Sequence, residues 1–243
     1  MAAVPLDDVL VRRVLCVAAH PDDLDFGCGG TIAAWVRSGL AVTYLLCTRG
    51  EQGGFDETPR ELMPAIREQE QLEAAAEVGV TDVRFLDGFR DGWLEPTHAL
   101  QRAVVRAIRQ VQPQRVVIPS PERNYERIGA SHPDHLAAGE AALRAVYPAA
   151  RNPFAFPELL QDEGLEPWTV LEVWTSGAPH PDHWVDVTDT VERKIAALRA
   201  HKSQTSHMSD LDERIRAWGS ANAAAAGLPE GRLAEAYRVI STA

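Results

Sequence analysis

The stretch VLCVAAHPDDLDFGCGGTIAAWVRSG (residues 14–39) changes periodicity halfway along. Its first six residues, VLCVAA, are apolar without alternation and have the length of a strand buried on both faces. Residues 29–39, GGTIAAWVRSG, read as a helix that closes near Gly39. Between them lies a polar run, His20-Pro21-Asp22-Asp23. Strand, polar loop and helix in that order form the unit from which parallel sheets are wound.

The alternation continues along the chain. Strands are expected at 41–48, 83–87, 115–120 and 169–176, with a further one in WVDVTDT (184–190). Helices are expected at 59–78, 97–111, 135–147 and 188–202, and the part from Leu211 onward reads as helical and Ala-rich. The prediction is therefore an α/β, Rossmann-like fold. It has a mostly parallel sheet with helices on both faces and forms a single domain over 1–243. With strand order 3-2-1-4-5, the first and fourth strands are neighbours where the winding reverses, and loops leaving their carboxyl ends open a crevice.

Two motifs fall on those loops: AHPDD (19–23) after the first strand and SHPDH (131–135) after the fourth. One His-Pro-Asp alone is accounted for by a turn and a helix cap. Two of them flanking one crevice suggest a shared site. His20 and Asp23, three residues apart at a helix start, can point the same way. With one imidazole from the second motif they make two His and one carboxylate, an open catalytic set for Zn²⁺; Fe²⁺ suits the same donors about as well. Asp22, beside the ligand but directed differently, is the candidate general base. If His132 and His135 both bound, the site would close, so His135 is preferred as the ligand. His132 is then left free to support an oxyanion or protonate a leaving amine. Asp134 is placed as a partner that orients a histidine. His-Pro-Asp-His recurs at 180–183, but between two strands, where a turn is use enough.

Composition narrows the field. With 24 Lys+Arg against 35 Asp+Glu and a net charge of -11, the chain is a poor partner for nucleic acid or an anionic membrane surface. The basic pair before VLCVAA leads to acidic residues and not to a cleavage site, and no run has the length of a membrane span. Three cysteines without zinc-finger or C-x-x-C spacing fit a reduced protein, and the expected location is the cytoplasm. The glycines Gly27, Gly29 and Gly30 do not match the dinucleotide fingerprint, and Asp22, Asp23 and Asp25 would repel a pyrophosphate; they are expected to allow close helix–strand packing. Self-association into a homo-oligomer is left open. His98 and His207 read as surface residues, while His201 and Gln204 fit a sugar contact or a solvated helix end equally well.

HPDDLDFGCGGTIA followed by SHPDH resembles the PIG-L/LmbE family of zinc-dependent N-acetylglucosaminyl deacetylases. So do CTRGEQGG (47–54), Arg67 with Glu70, EVGV (77–80), FRDG (89–92), VDVTDT (185–190) and KIAALRAHKSQ (194–204). The resemblance implies Zn²⁺ on His20, Asp23 and His135, Asp22 as general base and His132 at the tetrahedral intermediate. It also implies a sugar grip by Arg67 and Asp91, whose motifs match those of members acting on glucosaminyl-inositols. Some of those members carry Glu where this chain has Leu24. The expected reaction removes an N-acetyl group from a small amino-sugar molecule. The alternatives are an amidase of a mycothiol- or bacillithiol-type thiol conjugate, or a zinc-retaining binding protein. Metal-dependent phosphoester hydrolysis is disfavoured by so acidic a site.

Overall fold

The computed structural model describes residues 4–242. Strands β1 (Arg13–Ala18), β2 (Ala41–Leu46), β3 (Asp82–Phe85), β4 (Arg115–Pro119), β5 (Glu172–Ser176), β6 (His183–Asp186) and β7 (Ala234–Ser241) make one sheet of order β3-β2-β1-β4-β5-β7-β6. β3 through β5 are mutually parallel, with Val14 facing both Val42 and Arg115 across the centre. β7 runs antiparallel to β5 and β6, between which it inserts. The first five strands thus lie in the expected order, with β1 and β4 adjacent at the reversal.

Alternate residues of each strand face different helices. Leu15, Val17, Val116 and Ile118 pack on α3 (His98–Val111) and α4 (Pro133–Arg144). Val14, Cys16, Ala18 and Val117 pack instead with residues of α1 (Asp23–Arg37), α2 (Met63–Val78) and, further along, α6 (Val191–Ala200). A short α5 (Pro157–Gln161) lies in the β4–β5 connection, and α7 (Lys202–Thr205) and α8 (Leu211–Ala225) precede β7. Local signals set several boundaries. The Thr97 hydroxyl accepts from the Leu100 amide to start α3, and Gly79, at φ 86°, ends α2. All three cysteines are buried and free. No helix of the described residues is long and apolar enough to cross a membrane.

Two elements differ from expectation. α1 begins at Asp23, not at residue 29, because Asp23 and Asp25 in its first turn suit the positive helix end. The glycines suggested a later start, but packing overrides their poor helix propensity. A Cβ on Gly30 would lie 2.8 Å from Val187, so the glycine admits the segment after β6 and not the strand β1. The C-terminal part is not helical throughout. α8 ends at Ala225 and residues 234–241 form β7, whose burial alternates along most of its length. Gly227, Pro229 and Gly231 break the Ala-rich run, and the Tyr-Arg-Val-Ile that follows is strand-forming.

Candidate active site

The carboxyl ends of β1 to β4 carry a cluster of acids and imidazoles. Asp22 precedes α1 in the left-handed region at φ 82°, a conformation that costs energy for any residue but glycine. It is held there from two sides. Its amide donates to Gln71 Oε1 at 2.9 Å, and its Oδ2 accepts from Arg67 Nη2 at 2.9 Å. Arg67 and Gln71, four apart on α2, present both contacts from one helix face. The Arg67 guanidinium also donates to the carbonyls of Gly50 and Pro21. Gly50 is needed for this, since a Cβ there would lie 2.0 Å from Arg67 Nη1. Burial pushes the Asp22 carboxyl up to about 6, against the lowering effect of Arg67.

Asp23 divides its oxygens. Oδ2 accepts from the backbone amides of Ala19 and His20 and lies 3.6 Å from His20 Nδ1, while Oδ1 is 2.9 Å from His135 Nε2. Burial opposes its ionisation, but His135 and His20 outweigh it and hold the carboxyl well below the carboxylate range. The other edge of His20, Nε2, lies 3.0 Å from both Asp134 Oδ2 and Asp91 Oδ1. Although burial disfavours the imidazolium, the charge of Asp23, followed by the contacts with Asp134 and Asp91, raises the His20 pKa well above its ordinary value. Asp134 itself is fixed by the amides of Gly92 and Leu94. The rings of His20, His132 and His135 stand 5.1–5.3 Å apart, centroid to centroid. One nitrogen of each falls within 4.8 Å of the others.

The eight residues proposed for the site, His20, Asp22, Asp23, Arg67, Asp91, His132, Asp134 and His135, therefore meet in one cluster, but not all in the expected surroundings. Arg67 and Asp91, expected to grip a sugar, are 4% and 6% exposed and do not line the cavity that opens at the site. Their outer atoms are engaged by protein: both terminal nitrogens of Arg67 by Asp22 and two carbonyls, and the carboxylate of Asp91 by His20 and the Gln52 amide. The cavity, about 580 Å³, is lined at one end by Asp22, Asp23 and His135, and runs from there towards α8.

His201 fits neither of its sequence readings. It is fully buried, 2.8 Å from Asp25 Oδ2, and that same oxygen accepts from Gln71 Nε2. Gln71 and Asp25 were missed in the sequence; the only signal was the i, i+4 spacing of Gln71 from Arg67. Gln204 is buried beside Ser203, whose amide and hydroxyl donate to Glu70. His207 is exposed and stacks on Phe55, and His183 opens β6 with its ring edge-on to Trp174.

An imidazole–carboxylate cluster at the switch point of a doubly wound sheet defines a candidate metal-dependent active site. The family model described as "PIG-L: GlcNAc-PI de-N-acetylase" matches residues 15–146. The diacetylchitobiose deacetylase of Thermococcus kodakarensis is 36% identical over 201 residues, covering 82% of this chain and 72% of that protein. The probable N-acetyl-alpha-D-glucosaminyl L-malate deacetylase 2 of Bacillus subtilis is 31% identical over 216 residues, covering 84% and 89%. Among solved structures, N,N'-diacetylchitobiose deacetylase from Pyrococcus horikoshii superimposes with a TM-score of 0.87 at 30% identity, covering 96% of this chain and 85% of that one. The chain belongs to the PIG-L family.

Proposed function

We propose that this protein is a metal-dependent hydrolase that removes the acetyl group from the nitrogen of an N-acetylated amino sugar, its chain acting as one catalytic domain. The observation that carries the reading is the placement of Asp23 between His20 and His135 with Asp22 beside it at the cavity end. The names of the relatives point to the same reaction class.

The donor set fits a divalent transition metal. An ionised Asp23 with imidazole nitrogens on both sides is where a cation would take the place of the shared protons. His20, Asp23 and His135 would hold Zn²⁺ or Fe²⁺. When bound, such an ion supplies Lewis acidity and makes water a nucleophile near neutral pH. His20 Nε2 faces the Asp134 carboxylate, so with a cation bound that nitrogen would keep its hydrogen and Nδ1, on the Asp23 side, would be the one to ligate, a carboxylate–histidine arrangement suited to metal binding. Asp91 supports the same nitrogen.

His132 differs from the other two imidazoles. Its Nδ1 accepts from the Asp134 amide at 3.2 Å, so the neutral ring carries its hydrogen on Nε2. Burial and the neighbouring His20 keep it neutral by lowering its pKa. A ring nitrogen that bears hydrogen is a donor and not a ligand. His132 is therefore assigned to the carbonyl oxygen of the substrate as negative charge develops there. Asp22 takes a proton from the attacking water through the oxygen that Arg67 does not engage. A carbon–oxygen bond forms, the amide carbon–nitrogen bond breaks, and the proton passes to the departing nitrogen, giving acetate and a free amine. Arg67 keeps Asp22 in place in this scheme.

The test is acetate and amine release from N-acetylglucosamine compounds by protein stripped with a chelator and then reloaded with Zn²⁺ or Fe²⁺. Activity should vanish on stripping, with the fold retained, and return on reloading. Full activity in the stripped protein, or no acetate from any N-acetylated sugar, would overturn the reading.

A further inference from the structure

No step of the reaction above uses Gln71, Asp25 or His201, yet all three side chains are completely buried and linked in a row that ends on Asp22. They come from separate segments: Asp25 from the first turn of α1, Gln71 from α2, and His201 from the single residue between α6 and α7. The Asp22 amide, which can only donate, faces Gln71 Oε1 at 2.9 Å. That fixes the direction of the Gln71 side-chain amide, whose nitrogen donates to Asp25 Oδ2 at 2.9 Å. His201 Nε2 closes on the same Asp25 oxygen at 2.8 Å. His201 is itself anchored, since its carbonyl accepts from the amides of Gln204 and Thr205. One residue before Gln71, Glu70 takes the Ser203 amide and hydroxyl and ties α2 to the same segment.

We propose that Gln71 is a positioning residue for the general base, aimed by the Asp25–His201 pair, and that it holds the Asp22 backbone in the turn from which the carboxylate reaches the cavity. The proposal rests on the deacetylase reading above. An aspartate at φ 82° keeps that conformation only where its surroundings over-determine it. Arg67 grips the Asp22 carboxylate, while Gln71 grips the backbone from which that side chain starts. Gln71 carries no charge, so its removal tests the placement of the base apart from the field around it. Position 71 admits no close substitute. Glutamate would set a second acceptor against Asp25 Oδ2, and asparagine is one methylene shorter on the same helix. The Asp23 carboxylate is held separately, by the Ala19 and His20 amides and by His135, so the ligand set does not depend on Gln71.

The experiment measures kcat, KM and metal content of the Zn²⁺-loaded protein on N-acetylated sugars, and hydrogen exchange of the Asp22 amide by nuclear magnetic resonance. Q71M keeps the length of the side chain but offers no hydrogen bond. It should lose roughly 10–10²-fold in kcat, the scale of a misplacement of about 1 Å. KM and metal content should stay unchanged, and the Asp22 amide should exchange faster. Q71E should lose at least as much. Adding D25N to Q71E reverses the contact: an amide nitrogen at position 25 donates to the carboxylate at position 71, whose other oxygen still accepts from Asp22. Its second hydrogen meets His201 Nε2. The double variant should regain most of the kcat and the slow exchange, which a merely structural loss would not do. Q71M buries no new charge, so the result stands on it if Q71E does not fold. An unchanged kcat in folded, metal-loaded Q71M, or a folded double variant no better than Q71E, would overturn the proposal. If the unmodified protein releases acetate from no N-acetylated sugar, the deacetylase reading fails by itself. The clamp is then judged by exchange, where an unchanged Asp22 rate in Q71M would overturn it.

Discussion

The two ends of the sheet handle buried charge in opposite ways. At the amino end, Arg115 is completely buried between Trp35 and Trp174, whose ring centres lie 4.8 and 4.2 Å from its guanidinium. It donates to Glu172 at 2.6 Å, to Asp8 at 2.7 Å and to the Leu6 carbonyl. Glu172 also receives the Leu6 amide and the Trp174 indole. Among the described residues, no buried polar side-chain atom of Arg115, Glu172 or Trp174 lacks a partner. At the carboxyl end, acids gather around imidazoles, Asp22 stands in a costly backbone conformation, and Arg67 Nε, Asp25 Oδ1 and His201 Nδ1 are buried without partners. A saturated network, with Arg115 between Glu172 and Asp8, fastens the N-terminal segment to the sheet. An unbalanced one, open to a cavity, is what a site for a cation and a reacting substrate requires.

That difference is tested most severely by exchanging carboxylates for amides at the carboxyl end. Asp22→Asn should retain the metal and lose roughly 10²–10⁴-fold in kcat, the usual worth of a general base. Asp23→Asn should lose metal affinity as well, because its carboxylate lies against both His20 and His135. Metal analysis beside kinetics separates the two. Equal metal loss in both variants would erase the assigned division between base and ligand.

At the amino end the same kind of change should act on stability alone. Arg115→Met leaves Glu172 buried and unpaired, a loss of about 3–5 kcal/mol and a fall in Tm on the order of 10 °C for a chain of this size. The folded fraction should keep its metal and its kcat. Replacing Glu172 by Met too should recover part of the stability, because no charge is then left alone. A drop in kcat in folded Arg115→Met would break the division of labour between the two ends.

Much of the carboxyl end was legible in the sequence because its chemistry sits in contiguous motifs. His-Pro-Asp-Asp and His-Pro-Asp-His announce both the residue types and the turn that presents them, and the apolar runs marked β1 to β5 along the chain, their order in the sheet following from the doubly wound winding assumed for them. What escaped depended on tertiary approach. Arg67 looks like a substrate fork until Gly50, at φ 64°, lets its guanidinium fold inward onto Asp22. His201 looks like a helix end exposed to water until Asp25 meets it from α1. β7 was hidden by the Ala-rich run before it, and without β7 nothing indicated that α8 would close one side of the cavity, although the short strand beside it was expected from WVDVTDT. No local pattern encodes such contacts, since the partners lie from 17 residues apart, as for Arg67 and Gly50, to 176 apart, as for His201 and Asp25.

The smallest expected effect concerns the second His-Pro-Asp-His, at 180–183. By spacing alone it is the equal of 132–135. The surroundings separate them. His132 caps α4 with its Nδ1 and shares the ring triangle with His20 and His135. His183 is the first residue of β6, paired in register with Tyr237, and its ring stands 4.8 Å from that of Trp174. Burial keeps its pKa low, with Arg115 contributing in the same sense, so it packs as a neutral aromatic edge. It therefore belongs with the saturated amino-end network through Trp174, which also stacks on Arg115. His183→Ala should remove one edge-to-face contact, about 0.5–1.5 kcal/mol of stability, and leave metal content and kcat at the level of the unmodified protein. Thermal unfolding and metal analysis of this single variant decide the matter. Loss of metal with an unchanged Tm would move the centre to the other copy of the motif and undo the contrast between the two ends.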